Sequence, residues 1–533
     1  MATIPEALSL ALQHHQAGRL QEAEAIYRQI LQAQPDHPGA LQLLGLVAHQ
    51  VGQHHIAVEY IRRAIALNPN AADYHNNIGE AYRALARLNE AEASYKQALA
   101  LKPAYAEPLN NLGIVLHSQG KQEEAIVHFR RALSLRPNFS DAQCNLAVAL
   151  QGKGCKREAL QVLFGGLASQ PTNVQLRRAL AEALQGVTLG TAGEKERAIL
   201  LSLCNDDNIS MLNLATAVIG LLKNADAFSL LRKAAQEGGD PFASFDPAVE
   251  AFVRDPLLLA ALPRMTIVDA DLERVLTYMR RCLLIRSGTM PGAVAADPAI
   301  PFDFLCALAR QGFYSEYAFF ADEDEARRVE MVREAAQAAL RRPVTSPRTL
   351  EWLLAIVALY DSLQRVKGCE RLLELPISGW SEAFRPIVQE QLVNRRRERE
   401  IAGQITAITP IKDKVSQSVR GQYEESPYPL WVSVHHPKPV TIEELALVLC
   451  PGQDFRVRPR PVPVLIAGCG TGHHPIEVAR RYRECEILAI DLSLTSLAYA
   501  ARMAERFGIS NITFRQADIL ELSKLDRRFA IIE

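Results

Sequence analysis

The sequence predicts a multidomain chain: an all-helical repeat solenoid, an all-helical middle region, and a partial α/β sheet at the C-terminal end. Three observations predict it. Prolines recur every 34 residues, at Pro35, Pro69, Pro103, Pro137 and Pro171. That period is lost beyond about residue 186, although helical patterning continues. Near the end, the run Val464-Leu465-Ile466-Ala467-Gly468-Cys469-Gly470-Thr471-Gly472 joins a buried-strand pattern to a glycine-rich turn. The expected divisions are 1–186, 187–410 and 411–533.

The first region is the most regular. Ala23, Ala57, Ala91, Ala125 and Ala159 share one offset, and Gly45, Gly79 and Gly113 another, with Ala147 in the fifth unit. Small residues at fixed places mark where two helices must approach closely. Tyr27, Ile61, Tyr95, Phe129 and Leu163 supply the bulk beside them. Gly18, Gly52, Gly120 and Gly154 are expected in the turn within each helix pair, with Ala86 the exception. Each proline is expected to end a second helix, because it cannot donate the next backbone hydrogen bond. The pattern resembles the tetratricopeptide repeat from about Ile4 to Pro171, and five units exceed the three needed for a continuous core. A helix over 174–186, with Leu176, Leu180, Ala183 and Leu184 on one face, is expected to cap the stack.

A stack of this kind implies a concave groove lined by the first helices. Asn77, Asn111 and Asn145 stand 34 residues apart and are expected to form a ladder along it. An amide offers both donor and acceptor to an extended backbone, so the expected occupant is a protein or peptide. In this respect the repeats look like those of O-linked N-acetylglucosamine transferases. The alternative is that Asn is a tolerated polar residue on an exposed face.

Residues 187–410 read as helices separated by Gly/Pro loops, including segments at 302–320, 323–340, 350–363 and 381–399. Their residue types suggest no site. Asp322-Glu323-Asp324-Glu325 fits a helix start, where negative charge meets the positive end of the dipole. Thr345 or Ser346 is a candidate N-cap. Arg395-Arg396-Arg397-Glu398-Arg399-Glu400 reads as a solvated helix end, with a polyanion patch as the alternative.

In the last region the glycines permit positive φ and close approach of a ligand to the backbone. Ile487 to Asp491 reads as a second strand, ending in an acid about 20 residues beyond the loop. A helix over 496–507, a third strand over 511–515, the turn Gln516-Ala517-Asp518-Ile519 and the beginning of a fourth strand at Phe529 follow. Together these residues resemble the class I S-adenosylmethionine-dependent methyltransferases, a Rossmann-like fold. The resemblance implies that Gly468, Gly470 and Gly472 face the methionine part of S-adenosylmethionine. It also implies that Asp491 takes the ribose hydroxyls, and that Asp518 with the Ile519 backbone holds the adenine. Ile466 and Ala530 depart from the family, which usually has acids there. A plain nucleotide-binding Rossmann domain is the alternative, although a dinucleotide fingerprint would read Gly-x-Gly-x-x-Gly. The segment Tyr423-Glu424-Glu425-Ser426-Pro427-Tyr428-Pro429 resembles a leader found before some methyltransferase domains. It is expected as a lid near the cofactor, or else as a rigid turn plugging the sheet edge. The family has seven strands, so a chain stopping at the fourth is expected to be a fragment rather than a decayed enzyme. No catalytic residue can be named.

Composition excludes little. A net charge of −1 gives no bulk reason to expect nucleic acid or an anionic membrane as partner. The first 18 residues lack a signal-peptide pattern, and no apolar run is long enough to span a bilayer. Nine cysteines without a C-x-x-C pair fit reduced thiols, hence a cytoplasmic protein. The histidine doublets, such as His473-His474, lack ligand spacing, so no metal is expected. Two readings stay open: a repeat protein that binds a partner and carries a methyltransferase domain, and a repeat scaffold that does no chemistry.

Overall fold

Five consecutive helix pairs follow the 34-residue period: Ile4–Gln16 with Leu20–Ala33, Pro38–Gln50 with His54–Leu67, Ala72–Ala84 with Leu88–Leu101, Ala106–Ser118 with Gln122–Leu135, and Ser140–Gly152 with Lys156–Ser169. This computed structural model describes residues 3–242, 246–287, 300–341, 347–425, 429–435, 437, 439–443, 445, 460–524 and 527–533. It divides into two units, Met1–Ala183 and Leu184–Glu533.

In the first unit the small and large offsets meet as the sequence requires. A Cβ added at Gly45, Gly79 or Gly113 would stand 2.6 Å from the side chain of Ile61, Tyr95 or Phe129 respectively. The partners of those glycines are therefore fully enclosed, and the helix pair closes only because nothing projects there. Within the pairs, Gly18, Gly52, Gly120 and Gly154 take φ of 73, 81, 78 and 85°, and Ala86 takes the same left-handed turn at 56°. The turn is thus kept where glycine is lost, at about 1–2 kcal/mol of backbone strain. The Val174–Leu184 helix buries Leu176, Leu180 and Leu184 completely.

The second unit begins with helices that local signals explain. Pro247–Val253 and Pro256–Ala261 were not anticipated, yet each follows an Asp-Pro pair. Asp246 and Asp255 accept from Ala248 N at 2.8 Å and Leu257 N at 2.9 Å, while the prolines fill the first helical position. Asp322 and Glu325 form a reciprocal capping box at the start of Glu323–Leu340, so the acidic run is a helix start. The segment expected as a helix over 302–320 stops at Tyr314. Glu316 and Tyr317 adopt left-handed φ of 52 and 56°, and Tyr317 N returns to Gly312 O, which reverses the chain. Thr345 and Ser346 lie outside the described residues. Among the described residues no single helix is long and apolar enough to cross a membrane.

The arginine-rich run requires a correction. Arg395 to Glu400 is not simply a solvated helix end. Glu398 is 4% exposed and accepts from Arg395 Nη1 at 2.9 Å and from Arg502 Nε at 2.7 Å. Its helix, Asn394–Ala402, packs on the helix Leu494–Arg506. Arg396, Arg397, Arg399 and Glu400 are exposed, as a solvated helix end requires, while Glu398 carries an inter-helix contact. Glu398→Ala would leave two enclosed guanidiniums unpaired, so it is expected to destabilise this unit by about 3 kcal/mol. Urea unfolding followed by near-UV circular dichroism measures it, and a loss below about 0.5 kcal/mol would mean that water already screens the triad.

The sheet contains β1 (Val462–Ala467), β2 (Cys485–Asp491), β3 (Ile512–Gln516) and β4 (Ile531–Ile532) in the order β3-β2-β1-β4, all parallel. Alternation sorts its two faces. Val464, Ile466, Ile487, Ala489 and Phe514 join Leu497, Ala500 and Met503 of the Leu494–Arg506 helix in one core. Leu465, Leu488 and Ile490 point the other way, with Ala517, Leu522 and Phe529. Phe313, Tyr314 and Ile405 belong to the first of these cores, so residues on both sides of position 410 share it. The outer edge of β3 is occupied from the same side of that boundary. Ala407 bridges Gln516 in parallel, Gln516 N donates to Thr406 O, and Ile408 N donates to Gln516 O.

Candidate functional site

β1 ends at Ala467, and the chain then crosses the sheet end through Gly468, Gly470 and Gly472, with φ of +74, +52 and +84°. All three glycines are required by backbone, but for different reasons. A Cβ at Gly472 would fall 2.3 Å from Ala500 Cβ, whereas one at Gly468 or Gly470 would meet nothing within 4 Å. Gly472 therefore makes room for protein, and the other two face open space that a side chain would fill. Gly468 N and Cys469 N both donate to Ile490 O, at 2.9 and 3.0 Å, which pins the loop across the end of β2. Burial pushes the Cys469 thiol well above its usual range, so it is no thiolate nucleophile.

Asp491 closes the same corner. Its Oδ2 accepts from Gly470 N at 2.8 Å and its Oδ1 from Ser493 N at 3.0 Å. Each oxygen keeps a second lone pair for a ligand hydroxyl. Asp518 stands past the end of β3 and is 1% exposed. Its Oδ1 accepts from Leu520 N at 3.0 Å, its own N donates to Thr409 Oγ1 at 2.7 Å, and its Oδ2 has no partner among the described residues. A buried carboxyl oxygen without a donor costs about 1–3 kcal/mol and calls for one. Ile519, beside it, is half exposed. The glycine turn, Asp491 and Asp518 therefore all sit at the C-terminal ends of adjacent parallel strands, where open α/β sheets bind ligands. Glycines with open space over them, an acid with spare acceptor capacity and an orphaned acceptor fit the parts of S-adenosylmethionine.

The leader lies against this corner. Glu424, near the end of the Lys414–Glu425 helix, accepts from Leu494 N, Thr495 N and Thr495 Oγ1 at 2.8, 3.2 and 2.6 Å. It thereby caps the helix that follows β2. Ser493 Oγ donates to Tyr423 O at 3.1 Å. Further on, Thr471 Oγ1 donates to Pro429 O at 2.6 Å, Trp431 Nε1 donates to Thr471 O at 3.0 Å, and the Trp431 ring stacks on Phe507. The described part of the leader holds the glycine loop and the helix start; the β3 edge is occupied by residues 406–409 instead. Ser426, Pro427 and Tyr428 lie outside the described residues. Thr409 carried no signal as a site residue in the sequence, whereas Trp431 ends the leader stretch that the sequence singles out.

A cavity of about 760 Å³ lies on the helical side of this unit. Glu316, Arg333, Asp361, Arg395, Glu398 and Glu424 are in its wall, and no glycine of the loop, nor Asp491 or Asp518, lines it. It thus adjoins the corner only through Glu424 and Thr495, where the leader meets the helix after β2.

In the first unit the three predicted asparagines are brought together, through two others. Asn145 Nδ2 donates to Asn110 Oδ1 at 2.9 Å, Asn110 to Asn111 at 3.4 Å, Asn111 to Asn76 at 3.2 Å, and Asn76 to Asn77 at 3.3 Å. The ladder is a continuous chain of amides across three helices, with buried Asn76 and Asn110 as its inner rungs. Sequence reasoning missed those two because the offset holds Gln42 and Cys144 in the neighbouring units. Every amide keeps a second N–H and a second lone pair.

Comparison with known proteins agrees with both regions. Residues 461–532 match the model of a methyltransferase domain, and residues 38–71 and 74–138 match tetratricopeptide-repeat models. The human tetratricopeptide repeat protein 7B is 33% identical over 67 residues, covering 13% of this chain and 8% of that protein. A release factor glutamine methyltransferase of Rhodopirellula baltica is 27% identical over 203 residues, covering 36% of this chain and 64% of that protein. The chain thus spans less than two thirds of the length of either relative. Among solved structures, a thermophilic tetratricopeptide-repeat protein of Thermus thermophilus is 26% identical with a TM-score of 0.31, covering 34% of this chain and 99% of that one. The chain carries tetratricopeptide repeats in its N-terminal part and a methyltransferase domain in its C-terminal part.

Proposed function

We propose that this chain holds S-adenosylmethionine at the glycine corner, transfers its methyl group, and uses its repeats to grip a protein or peptide. The observation that carries the first part is the convergence of Asp491, stitched to Gly470 N, with the unpaired Oδ2 of Asp518 at the ends of β2 and β3. When bound, the cofactor supplies a methyl group already activated on a sulfonium, so the protein need only position and exclude water. In this reading Gly468 and Gly470 leave the backbone bare beside the amino-acid part. Asp491 accepts from the ribose hydroxyls, Asp518 accepts from the adenine, and the leader, held by Glu424 and Trp431, keeps the corner dry. Thermal unfolding with and without S-adenosylmethionine tests it. A ligand at 100 times its dissociation constant adds about 2.7 kcal/mol of stability and should raise the melting temperature of the Leu184–Glu533 unit by several degrees. No shift at millimolar ligand would leave the scaffold reading without chemistry.

For the repeats, the amide chain from Asn145 to Asn77 supports peptide capture, since it offers unspent donors and acceptors at the spacing of successive repeats. The groove is sequence-tolerant by this logic: it grips backbone rather than side chains. Asn77, Asn111 and Asn145 replaced together by Ala should weaken capture of an extended peptide at least tenfold, with the helical circular dichroism spectrum unchanged. Peptide-array binding before and after the change measures this, and an unaltered array would reject the amide grip.

A further inference from the structure

Residues 406–409 are the least expected part of the C-terminal unit. They come from the end of the helical region and lie along the outer edge of β3, where Ala407 makes a single parallel bridge to Gln516. Their last member, Thr409, is 3% exposed, and its hydroxyl receives the backbone N–H of Asp518 at 2.7 Å, itself buried. With Ala517 N donating to Asp491 O and Glu521 N to Asp518 O, both at 3.0 Å, that bond holds the turn in which the Asp518 carboxyl sits. One carboxyl oxygen is then used locally by Leu520 N, and the other has no donor among the described residues. Around this unsatisfied acceptor the surface is apolar. Ile408, next to Thr409, is 37% exposed, and Ile519 and Leu520, next to Asp518, are 51% and 68% exposed. A flat apolar ring bearing an exocyclic amino group suits such a place: its faces lie against aliphatic side chains, and its N–H answers the carboxyl.

We propose that Thr409 is a positioning residue for recognition of the cofactor base, and that the segment 406–409 lets the helical region set adenine specificity. The proposal rests on the S-adenosylmethionine reading of the glycine corner and adds to it a residue that the glycine motif does not contain. Thr409 touches no ligand in this account. It acts by holding the Asp518 backbone, so that the carboxyl meets the amino group of adenine rather than swinging within a loosened turn. Because the unpaired oxygen is covered in the free chain, the Ile519–Leu520 turn must yield slightly as the base arrives. The base amino group then satisfies a buried acceptor, and a base lacking that donor leaves the acceptor unpaired and meets it with a carbonyl instead. Discrimination of this type is large because it penalises the wrong ligand as well as rewarding the right one.

The test uses the full chain and two probes, S-adenosylhomocysteine and its inosine counterpart, in which the exocyclic amino group is replaced by oxygen. Affinities are measured by calorimetry for the unaltered protein, Thr409→Val and Thr409→Ser. The unaltered protein should prefer the adenosine probe at least tenfold, the scale of one hydrogen bond to a charged group. Thr409→Val keeps the shape and removes the acceptor. It should weaken the adenosine probe about tenfold and the inosine probe much less, so the preference collapses, while Thr409→Ser restores it. Equal weakening of both probes would mark Thr409 as merely structural and overturn the proposal, as would an undiminished preference in Thr409→Val. Failure of the unaltered protein to bind either probe would instead remove the S-adenosylmethionine reading and this inference with it. Binding without preference would retain the cofactor corner and refute the role of Asp518.

Discussion

Asp491→Ala is expected to abolish measurable S-adenosylmethionine binding. Asp491 links Gly470 N and Ser493 N, so its carboxylate sets both the height of the glycine loop and the start of the next helix. It also has spare acceptor capacity at the strand end where a ribose would lie. Two hydrogen bonds to a charged group are together worth about 3–6 kcal/mol, or roughly 10²- to 10⁴-fold in affinity. Removing the side chain takes those away and releases the Gly470 N–H. Asp491→Asn separates the contributions: it preserves shape and one acceptor, so it should retain a fraction of the affinity. Calorimetry on the full chain reads both. An Ala variant that binds as well as the unaltered protein would remove the ribose assignment.

The second large effect concerns the glycines, and it distinguishes two kinds of need. Gly472→Ala should destabilise the C-terminal unit by about 2–5 kcal/mol. The added Cβ would lie 2.3 Å from Ala500 Cβ and 2.9 Å from Ala500 Cα, at a left-handed φ of +84°. Overpacking contributes about 1–3 kcal/mol of that and the backbone about 1–2. The loss follows from helix position, because Ala500 belongs to the Leu494–Arg506 helix that covers the sheet. Gly468→Ala shares the backbone strain but meets no atom within 4 Å. It should cost only about 1–2 kcal/mol of stability, yet impair ligand binding, since its Cβ would occupy the space above the loop. Chemical unfolding of the two variants measures the contrast. Equal destabilisation would show that the loop, rather than the helix contact, sets the cost at Gly472.

The two parts of the chain were legible to different depths, for physical reasons. A 34-residue repeat states each contact several times over. Gly45, Gly79 and Gly113 could therefore be assigned to close helix approach from the repeat alone, and each proves to face a large enclosed side chain. The amide chain was half legible. Asn77, Asn111 and Asn145 obey the period, whereas Asn76 and Asn110, which relay between them, occupy an offset filled elsewhere by Gln42 and Cys144. In the last region, the apolar runs and the glycine triplet placed β1 and β2 within a residue or two, because strands buried on both faces read as unbroken apolar stretches, while β3 was legible from its alternation.

What the sequence concealed is tertiary. Thr409 reaches Asp518 over 109 positions with no local pattern to announce it. Glu398 stands in a run of charge that reads as hydrated surface until Arg502 arrives from another helix. Glu316 and Tyr317 end a helix by left-handed turns that neither residue favours, so the apolar pattern ran on past the true boundary. By contrast, the helices at Pro247 and Pro256 had a readable local signal, an Asp before a Pro at each start.

The most direct measurement is a crystal structure of the full chain with S-adenosylhomocysteine. The account predicts the ribose hydroxyls within hydrogen-bond distance of the Asp491 carboxylate, the adenine amino group on Asp518 Oδ2, and the amino-acid end beside Gly468 and Gly470. A ligand seated elsewhere, for example in the cavity lined by Glu316 and Arg333, or a ribose remote from Asp491, would contradict it.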